Sequence, residues 1–148
     1  MRLSTKGQYA LESMVALAVA QPGVSLSIRE IALRTGISQA YLEQIFASLR
    51  RDGLLESARG TQGGYRLAKE AAAITVTEVL ESGEGSLAPV RCTESGHAAC
   101  DEYETCMTRA LWEDMSRTIR SVTDHLTLAD IVAAWQETGL DNPLDFSI

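Results

Sequence analysis

Ser27-Ile28-Arg29-Glu30-Ile31-Ala32-Leu33-Arg34-Thr35-Gly36-Ile37-Ser38-Gln39-Ala40-Tyr41-Leu42-Glu43-Gln44-Ile45-Phe46 holds two helix starts and the glycine turn between them. It opens on Ser27 with Glu30 three residues on, the reciprocal capping pattern that starts a helix. Ile28, Ile31 and Ala32 form the apolar side of that helix, and Gly36 ends it. Ser38 then caps a second helix over about 39–52, in which Leu42, Ile45, Phe46 and Leu49 fall on one face. Two short amphipathic helices joined through Thr35-Gly36-Ile37-Ser38 have the pattern of a helix-turn-helix.

The segments on either side extend this reading. Upstream, residues 8–20 predict a helix with Leu11, Met14, Val15, Leu17 and Ala18 on one broad face, ended by Pro22-Gly23. Arg2 and Lys6 before the apolar run Met14 to Ala20 faintly imitate a secretion signal, but Glu12 and the shortness of the run favour an amphipathic helix. Downstream, Gly53 caps the second helix, Leu54 to Arg59 and Tyr65 to Leu67 predict two strands, and Gly60-Thr61-Gln62-Gly63-Gly64 predicts the turn between them. A glycine-tipped hairpin flanked by Arg59 and Arg66, directly after a helix-turn-helix, reads as a wing. Thr75-Val76-Thr77-Glu78 opens a short helix toward Ser82. Residues 83–104 have loop composition, a long helix is expected over about 104–124, and Thr127 opens a last helix through about Glu137.

The fold class expected is therefore mainly α with a small β-hairpin: a winged helix-turn-helix followed by a long dimerisation helix. Its parts are a DNA-binding domain over 1–82, a cysteine-bearing loop over 83–105, the long helix and its successor over 106–138, and a tail over 139–148. Leu111, Met115, Ile119, Val122 and Leu126 make a stripe along the long helix, suited to pairing two copies, as two-fold operators require.

Charge is unevenly spread along the 148 residues, whose net charge is −7. Residues 1–68 carry eight Lys/Arg against five Asp/Glu, whereas 69–148 carry five against fifteen. A basic N-terminal part joined to an acidic C-terminal part fits a DNA-contacting domain attached to one that avoids DNA. On the second helix, Gln39, Ala40, Glu43, Gln44 and Ala47 point away from the apolar face. Ser38, Gln39 and Tyr41 stand at its N-terminal end, where amides and the helix dipole favour a phosphate. Gln pairs with adenine, Ala touches the thymine methyl, and Glu43 accepts from cytosine while repelling phosphates; a solvated surface acid is the alternative for Glu43. Arg2, Arg50, Arg51 and Arg59 are candidates for phosphate or minor groove, and Gly60, Gly63 and Gly64 let a wing backbone approach the groove.

Cys92, Cys100 and Cys106 are separated by seven and five residues, with His97 between the first two. An odd number of cysteines argues against a disulfide framework. Thiolates suit an iron–sulfur cluster or zinc, but these gaps match neither zinc modules nor ferredoxins, so reversible thiol oxidation and inert cysteines stay open. No nucleotide-binding glycine motif or Cys-His-Asp arrangement stands out, so an enzyme is not expected. Neither a membrane span nor a small-molecule substrate is expected, and a cytoplasmic protein is.

Taken together, Met1-Arg2-Leu3-Ser4-Thr5-Lys6-Gly7 with Tyr9-Ala10, Tyr41-Leu42-Glu43-Gln44-Ile45-Phe46 with Leu49-Arg50, and Arg59-Gly60-x-x-Gly63-Gly64-Tyr65 resemble the IscR/NsrR/CymR family of bacterial regulators. Ala110-Leu111-Trp112 and Thr127-Leu128 bring the resemblance nearest to the IscR branch. It implies a homodimer on double-stranded operator DNA, with a crossing dimer helix. It also implies an iron–sulfur cluster on Cys92, Cys100 and Cys106, two-iron two-sulfur ahead of four-iron four-sulfur, whose loss changes the operators bound. Glu43 matches the family glutamate that discriminates operators. Two departures bear on the cluster: the gap between the first two cysteines is longer than in that branch, and Arg109 stands where it has a ligating histidine, a role a guanidinium cannot fill. Related branches use the positions of Gln8 or Glu12 of the partner subunit, so His97, Glu12 and Gln8 are all open as the fourth ligand. A nitric-oxide or redox sensor of the same fold, and a cluster-free regulator acting through thiols or a partner protein, are the alternatives.

Overall fold

The computed structural model describes residues 2–94 and 100–139. Eight elements carry the architecture: α1 (Thr5–Val19), α2 (Ile28–Thr35), α3 (Gln39–Arg51), β1 (Leu55–Ala58), β2 (Gly64–Leu67), α4 (Val76–Glu84), α5 (Arg109–Thr123) and α6 (Leu128–Glu137). The fold is mainly helical with one two-stranded antiparallel hairpin, as expected.

Local chemistry starts and stops the helices of the helix-turn-helix. Ser27 Oγ accepts from the Glu30 amide at 3.2 Å while Glu30 accepts from the Ser27 amide at 2.7 Å, so two amides that the helix leaves orphaned are satisfied at once. Gly36 ends α2 in the left-handed region at φ 73°, and its amide reaches Ala32 O at 2.8 Å. Ser38 Oγ accepts from the Tyr41 amide to open α3. At the far end of α3, the Gly53 amide donates to Arg50 O at 3.1 Å and the Leu54 amide to Leu49 O at 2.9 Å. That is a Schellman closure, in which the glycine (φ 74°) turns the chain and Leu54 folds back over Leu49.

One core holds these elements together. Leu42, Ile45, Phe46 and Leu49 of α3 are fully buried against Ala10, Met14 and Leu17 of α1, Ile31 of α2, and Leu54 and Leu55 of the hairpin. Val76, Leu80 and Leu87 form a second cluster, against which Leu3, Leu11, Ile119, Leu126 and Ile131 pack. Capping pairs Thr75/Glu78 and Thr127/Asp130 open α4 and α6. Thr75 and Thr127 also bridge one another, which ties the two helix starts together.

Several features differ from the expectation. Helix α4 continues through Gly83 and Glu84, which were expected to open the cysteine-bearing loop, and ends at Gly85. Helix α1 begins at Thr5, three residues early, because Ser4 caps it. The hairpin is one residue shorter at each end of β1 and pairs Leu55 with Leu67 through Ala58 with Gly64. Leu26 adds to it, exchanging amide bonds of 2.9 and 2.7 Å with Tyr65. Helix α5 begins at Arg109 rather than near 104, since Tyr103–Thr105 forms a separate 3-10 turn and Thr108 starts the α-helix. Arg109 closes the intervening turn: its guanidinium donates to Tyr103 O at 3.2 Å and lies over the Tyr103 ring at 4.9 Å. The expected tail falls outside the described residues beyond Gly139. No described helix is long and apolar enough to cross a membrane.

Candidate nucleic-acid interface and cysteine segment

Because α3 buries one face completely, its other face is defined by exclusion. Ser38, Gln39, Ala40, Glu43, Gln44, Ala47, Arg50 and Arg51 are all exposed on it. Tyr41 is half-buried, its ring edge-on to Tyr9 of α1 with centroids 5.6 Å apart. This contact fixes the N-terminal end of α3 against the first helix. Phe46 does the same toward the hairpin, meeting Tyr65 at 4.7 Å. Helix and hairpin are therefore held in one orientation by aromatic edges, each of a kind that adds about 0.5–1.5 kcal/mol beyond area burial. An open groove lined by Ala47, Arg50, Arg51, Leu55, Glu56 and Ser57 runs between them.

The cations differ in how free they are. Arg51 pairs with its neighbour Asp52 at 3.3 Å, and Arg66 pairs across the hairpin with Glu56 at 3.3 Å. Arg2, Arg50 and Arg59 are exposed and form no ion pair with a described residue, and neither does Glu43. Those three arginines can meet phosphate without first giving up an ion pair to a described residue.

The hairpin glycines divide by cause. Gly60 sits at φ 109° with open space where a Cβ would be, so its backbone conformation is the constraint. A Cβ on Gly63 would lie 2.8 Å from the carbonyl oxygens of Ala58 and Gly60. A Cβ on Gly64 would collide with the backbone of Leu26 and Ser27. Gly63 and Gly64 are thus required by packing inside the protein, and the exposed tip is formed by Arg59, Gly60, Thr61 and Gln62.

The cysteines occupy the segment between α4 and α5. Cys92 lies in a 3-10 turn, Arg91–Thr93, and lines a shallow groove with Tyr103, Glu113, Arg117 and Arg120. Cys100 and Cys106 follow, and all three thiols are free and partly exposed. Cys106 stands just before α5 with Sγ 3.5 Å from Thr108 Oγ1. That hydroxyl first, and then the Thr108 amide, holds its thiol below the usual value. As donors, three thiols fit an iron–sulfur cluster. Among the described residues, however, no three Cys, His, Asp or Glu side chains converge in a way that would hold a metal ion. The fit is one of donor chemistry.

The candidate fourth ligands separate in the same way. His97 lies outside the described residues. Gln8 and Glu12 are exposed on α1, one helical turn apart, on the rim of an apolar groove of about 640 Å³ lined by Leu3, Leu11, Val15, Leu80, Ile131 and Trp135. Gln8 Nε2 donates back to Leu3 O at 3.0 Å. Arg109 is committed to Tyr103 and to the carboxylates of Glu104 (3.7 Å) and Glu113 (3.9 Å).

Two features were not legible in the sequence. Leu26 as a third pairing segment carries no strand signature, since only one residue pairs. Ser4 donates from its amide and hydroxyl to Glu84 Oε1 at 2.7 and 2.8 Å, across 80 positions. The nearest clue is Ser4 as a helix cap, and it says nothing of Glu84.

Comparison with known proteins places this arrangement. A profile of the Rrf2 family, described as iron-dependent transcriptional regulators, matches residues 3–134. The HTH-type transcriptional regulator IscR of Yersinia enterocolitica is 40% identical over 132 residues, which cover 89% of this chain and 79% of that protein. The solved structure of T. potens IscR has a TM-score of 0.77 and 35% identity, covering 95% of this chain and 93% of that one. CymR, the global cysteine regulator of B. subtilis, has a TM-score of 0.75 and 34% identity, covering 90% and 98%. The chain belongs to the Rrf2 family of transcriptional regulators and has the winged helix-turn-helix fold of its solved relatives.

Proposed function

We propose that the chain binds operator DNA as a homodimer and that an iron–sulfur cluster on Cys92, Cys100 and Cys106 sets which operators it binds. The observation that carries the DNA part is the completeness of the exposed face. Gln39, Ala40, Glu43, Gln44 and Ala47 are exposed on α3 to meet base edges, and Arg2, Arg50 and Arg59 are exposed cations with no ion pair to a described residue. Amide and carboxylate groups on such a face read base edges in a major groove while the arginines take phosphates. Glu43 adds selection, because a carboxylate there favours a cytosine amino group and penalises what cannot donate to it.

Pairing of two chains draws on α5. Leu111 and Val122 are 53% and 58% exposed on this helix, an arrangement suited to burial against a second copy. The cluster part rests on the donor chemistry of the three free thiols and on the iron-dependent regulators the chain resembles. When bound, the cluster would supply a redox- and iron-sensitive state. Two-iron two-sulfur is the form proposed, controlling genes of cluster biogenesis or related stress. Cys92, Cys100 and Cys106 would hold it, with His97, or Glu12 or Gln8 of the partner subunit, completing the set. The likeness to CymR favours one second reading, a cluster-free regulator acting through thiol chemistry or a partner protein.

Operator selection from mixed-sequence duplexes, run with anaerobically purified protein and with a Cys92→Ser, Cys100→Ser, Cys106→Ser variant, tests the reading. Selection of different sequences by the two forms supports it. Identical selected sequences would leave the cysteines without a role in DNA choice and favour the second reading. Absence of any DNA binding would overturn the proposal at its root.

A further inference from the structure

Three helix ends meet at one corner of the molecule. Ser4 caps α1, and its amide and hydroxyl both donate to Glu84 Oε1, at 2.7 and 2.8 Å, on the last residue of α4. The helices touch there through glycines, since a Cβ on Gly83 would lie 2.9 Å from Gly7 Cα. The C-terminal end of α3 joins the same corner. Ser82 Oγ is buried without a partner of good hydrogen-bond geometry among the described residues, yet it is the leading influence holding the Asp52 carboxyl below its usual range; Arg51 and Lys6 act in the same direction. Of these, the Ser82 hydroxyl acts from α4 and the Lys6 charge from α1.

We propose that Glu84 is a positioning residue for DNA: by clasping Ser4 it holds the backbone just before α1, and with it the exposed Arg2, ready to meet phosphate. This rests on the DNA-binding reading above and adds a residue to it that has the wrong charge for a direct contact. An acid facing phosphates would weaken binding. Glu84 is instead turned onto the start of α1, where the Ser4 donors and the positive end of the helix dipole take up its charge. Leu3 packs on the second apolar cluster, so the chain is anchored at Leu3 and Ser4 and leaves Arg2 exposed and free of ion pairs with described residues. A cation whose backbone is already fixed meets phosphate without the entropy cost of ordering a loose segment.

The test is a salt titration of binding to a fluorescent duplex of mixed sequence, using the full chain with its iron content measured for every variant. Each phosphate contact contributes about 0.9 to the slope of log K against log salt. Arg2→Ala is expected to lower the slope by about 0.9 per chain. Glu84→Ala is expected to cause most of the same loss, and the double variant little more than Arg2→Ala alone. Glu84→Gln, which keeps an acceptor oxygen for Ser4, is expected to stay near the parent. If Glu84→Ala does not fold, Ser4→Ala with and without Arg2→Ala carries the same test, with an intermediate slope expected from loss of the hydroxyl half of the clasp. The proposal is overturned if Glu84→Ala leaves the slope unchanged, if it tightens binding, if its effect adds in full to that of Arg2→Ala, or if Arg2→Ala itself changes nothing. A parent protein that does not bind the duplex at all would instead refute the DNA reading beneath it.

Discussion

Replacing Gly64 with alanine puts a methyl group into the backbone of Leu26 and Ser27, where no flexible side-chain end is available to give way. Relief requires Leu26 and Tyr65 to part, which breaks the pair of amide bonds at 2.9 and 2.7 Å that hold the α1–α2 connection to the hairpin. Leu26 is buried, so groups that separate there lose their partners without gaining water in full. With each net hydrogen bond worth about 0.5–1.5 kcal/mol and a buried unsatisfied group costing about 1–3 kcal/mol, Gly64→Ala should destabilise by about 2–4 kcal/mol. In a chain of this size that is a fall in Tm on the order of 10 °C. Gly60→Ala is the internal control. It meets open space but an unfavourable φ of 109°, so only conformational strain of roughly 1–2 kcal/mol is expected. Thermal and urea denaturation of both variants, followed by circular dichroism, measures the difference. If Gly64→Ala proves as stable as the parent, or less damaging than Gly60→Ala, then the Leu26–Tyr65 pairing does not hold the wing and this account of the glycine is wrong.

Glu43→Ala should relax sequence choice, with discrimination at one base position falling by about 1–3 kcal/mol in competition binding across a duplex library; unchanged preference would make Glu43 a solvated acid. Leu111→Glu should reduce self-association, read by sedimentation across a concentration series; an unchanged dimer would place the interface elsewhere. Stability should also depend on acid. The Glu30 carboxyl is held below its usual value by the Ser27 amide and then the Ser27 hydroxyl, and the Asp130 carboxyl by the Thr127 hydroxyl and then its amide. Because the folded values are depressed, their contribution is present above the ordinary carboxylate range and is lost as the pH falls through that range and below. The Tm should therefore drop on acidification from pH 6 to about 3, less steeply in Glu30→Gln; equal slopes for parent and variant would contradict the assignment.

The helix-turn-helix was readable from the sequence because its determinants are local. Ser27 with Glu30, Gly36, Ser38, Gly53 and the spacing of Leu42, Ile45, Phe46 and Leu49 each act within a turn or two of helix, and the structure uses every one of them. The start of α5 was less readable, because helical periodicity continues upstream through residues that Arg109 folds into a separate turn against Tyr103. Pairing of Leu26 with Tyr65 and of Ser4 with Glu84 depends on tertiary approach and leaves no periodic trace. For the cysteines, spacing conveyed donor chemistry but not convergence, since no three Cys, His, Asp or Glu side chains gather among the described residues. The hairpin glycines show a third situation. Their presence was plain, yet two of the three serve internal packing rather than the exposed tip.

Iron and acid-labile sulfide, assayed with the absorbance spectrum on protein purified without oxygen, decide whether the three thiols hold a cluster. A coloured protein with iron and sulfide in equal amounts, about two of each per chain, is expected, with loss of both in the Cys106→Ser variant. A colourless protein that takes up neither after reconstitution with iron and sulfide would contradict the cluster and leave a DNA-binding regulator governed by its thiols or by a partner.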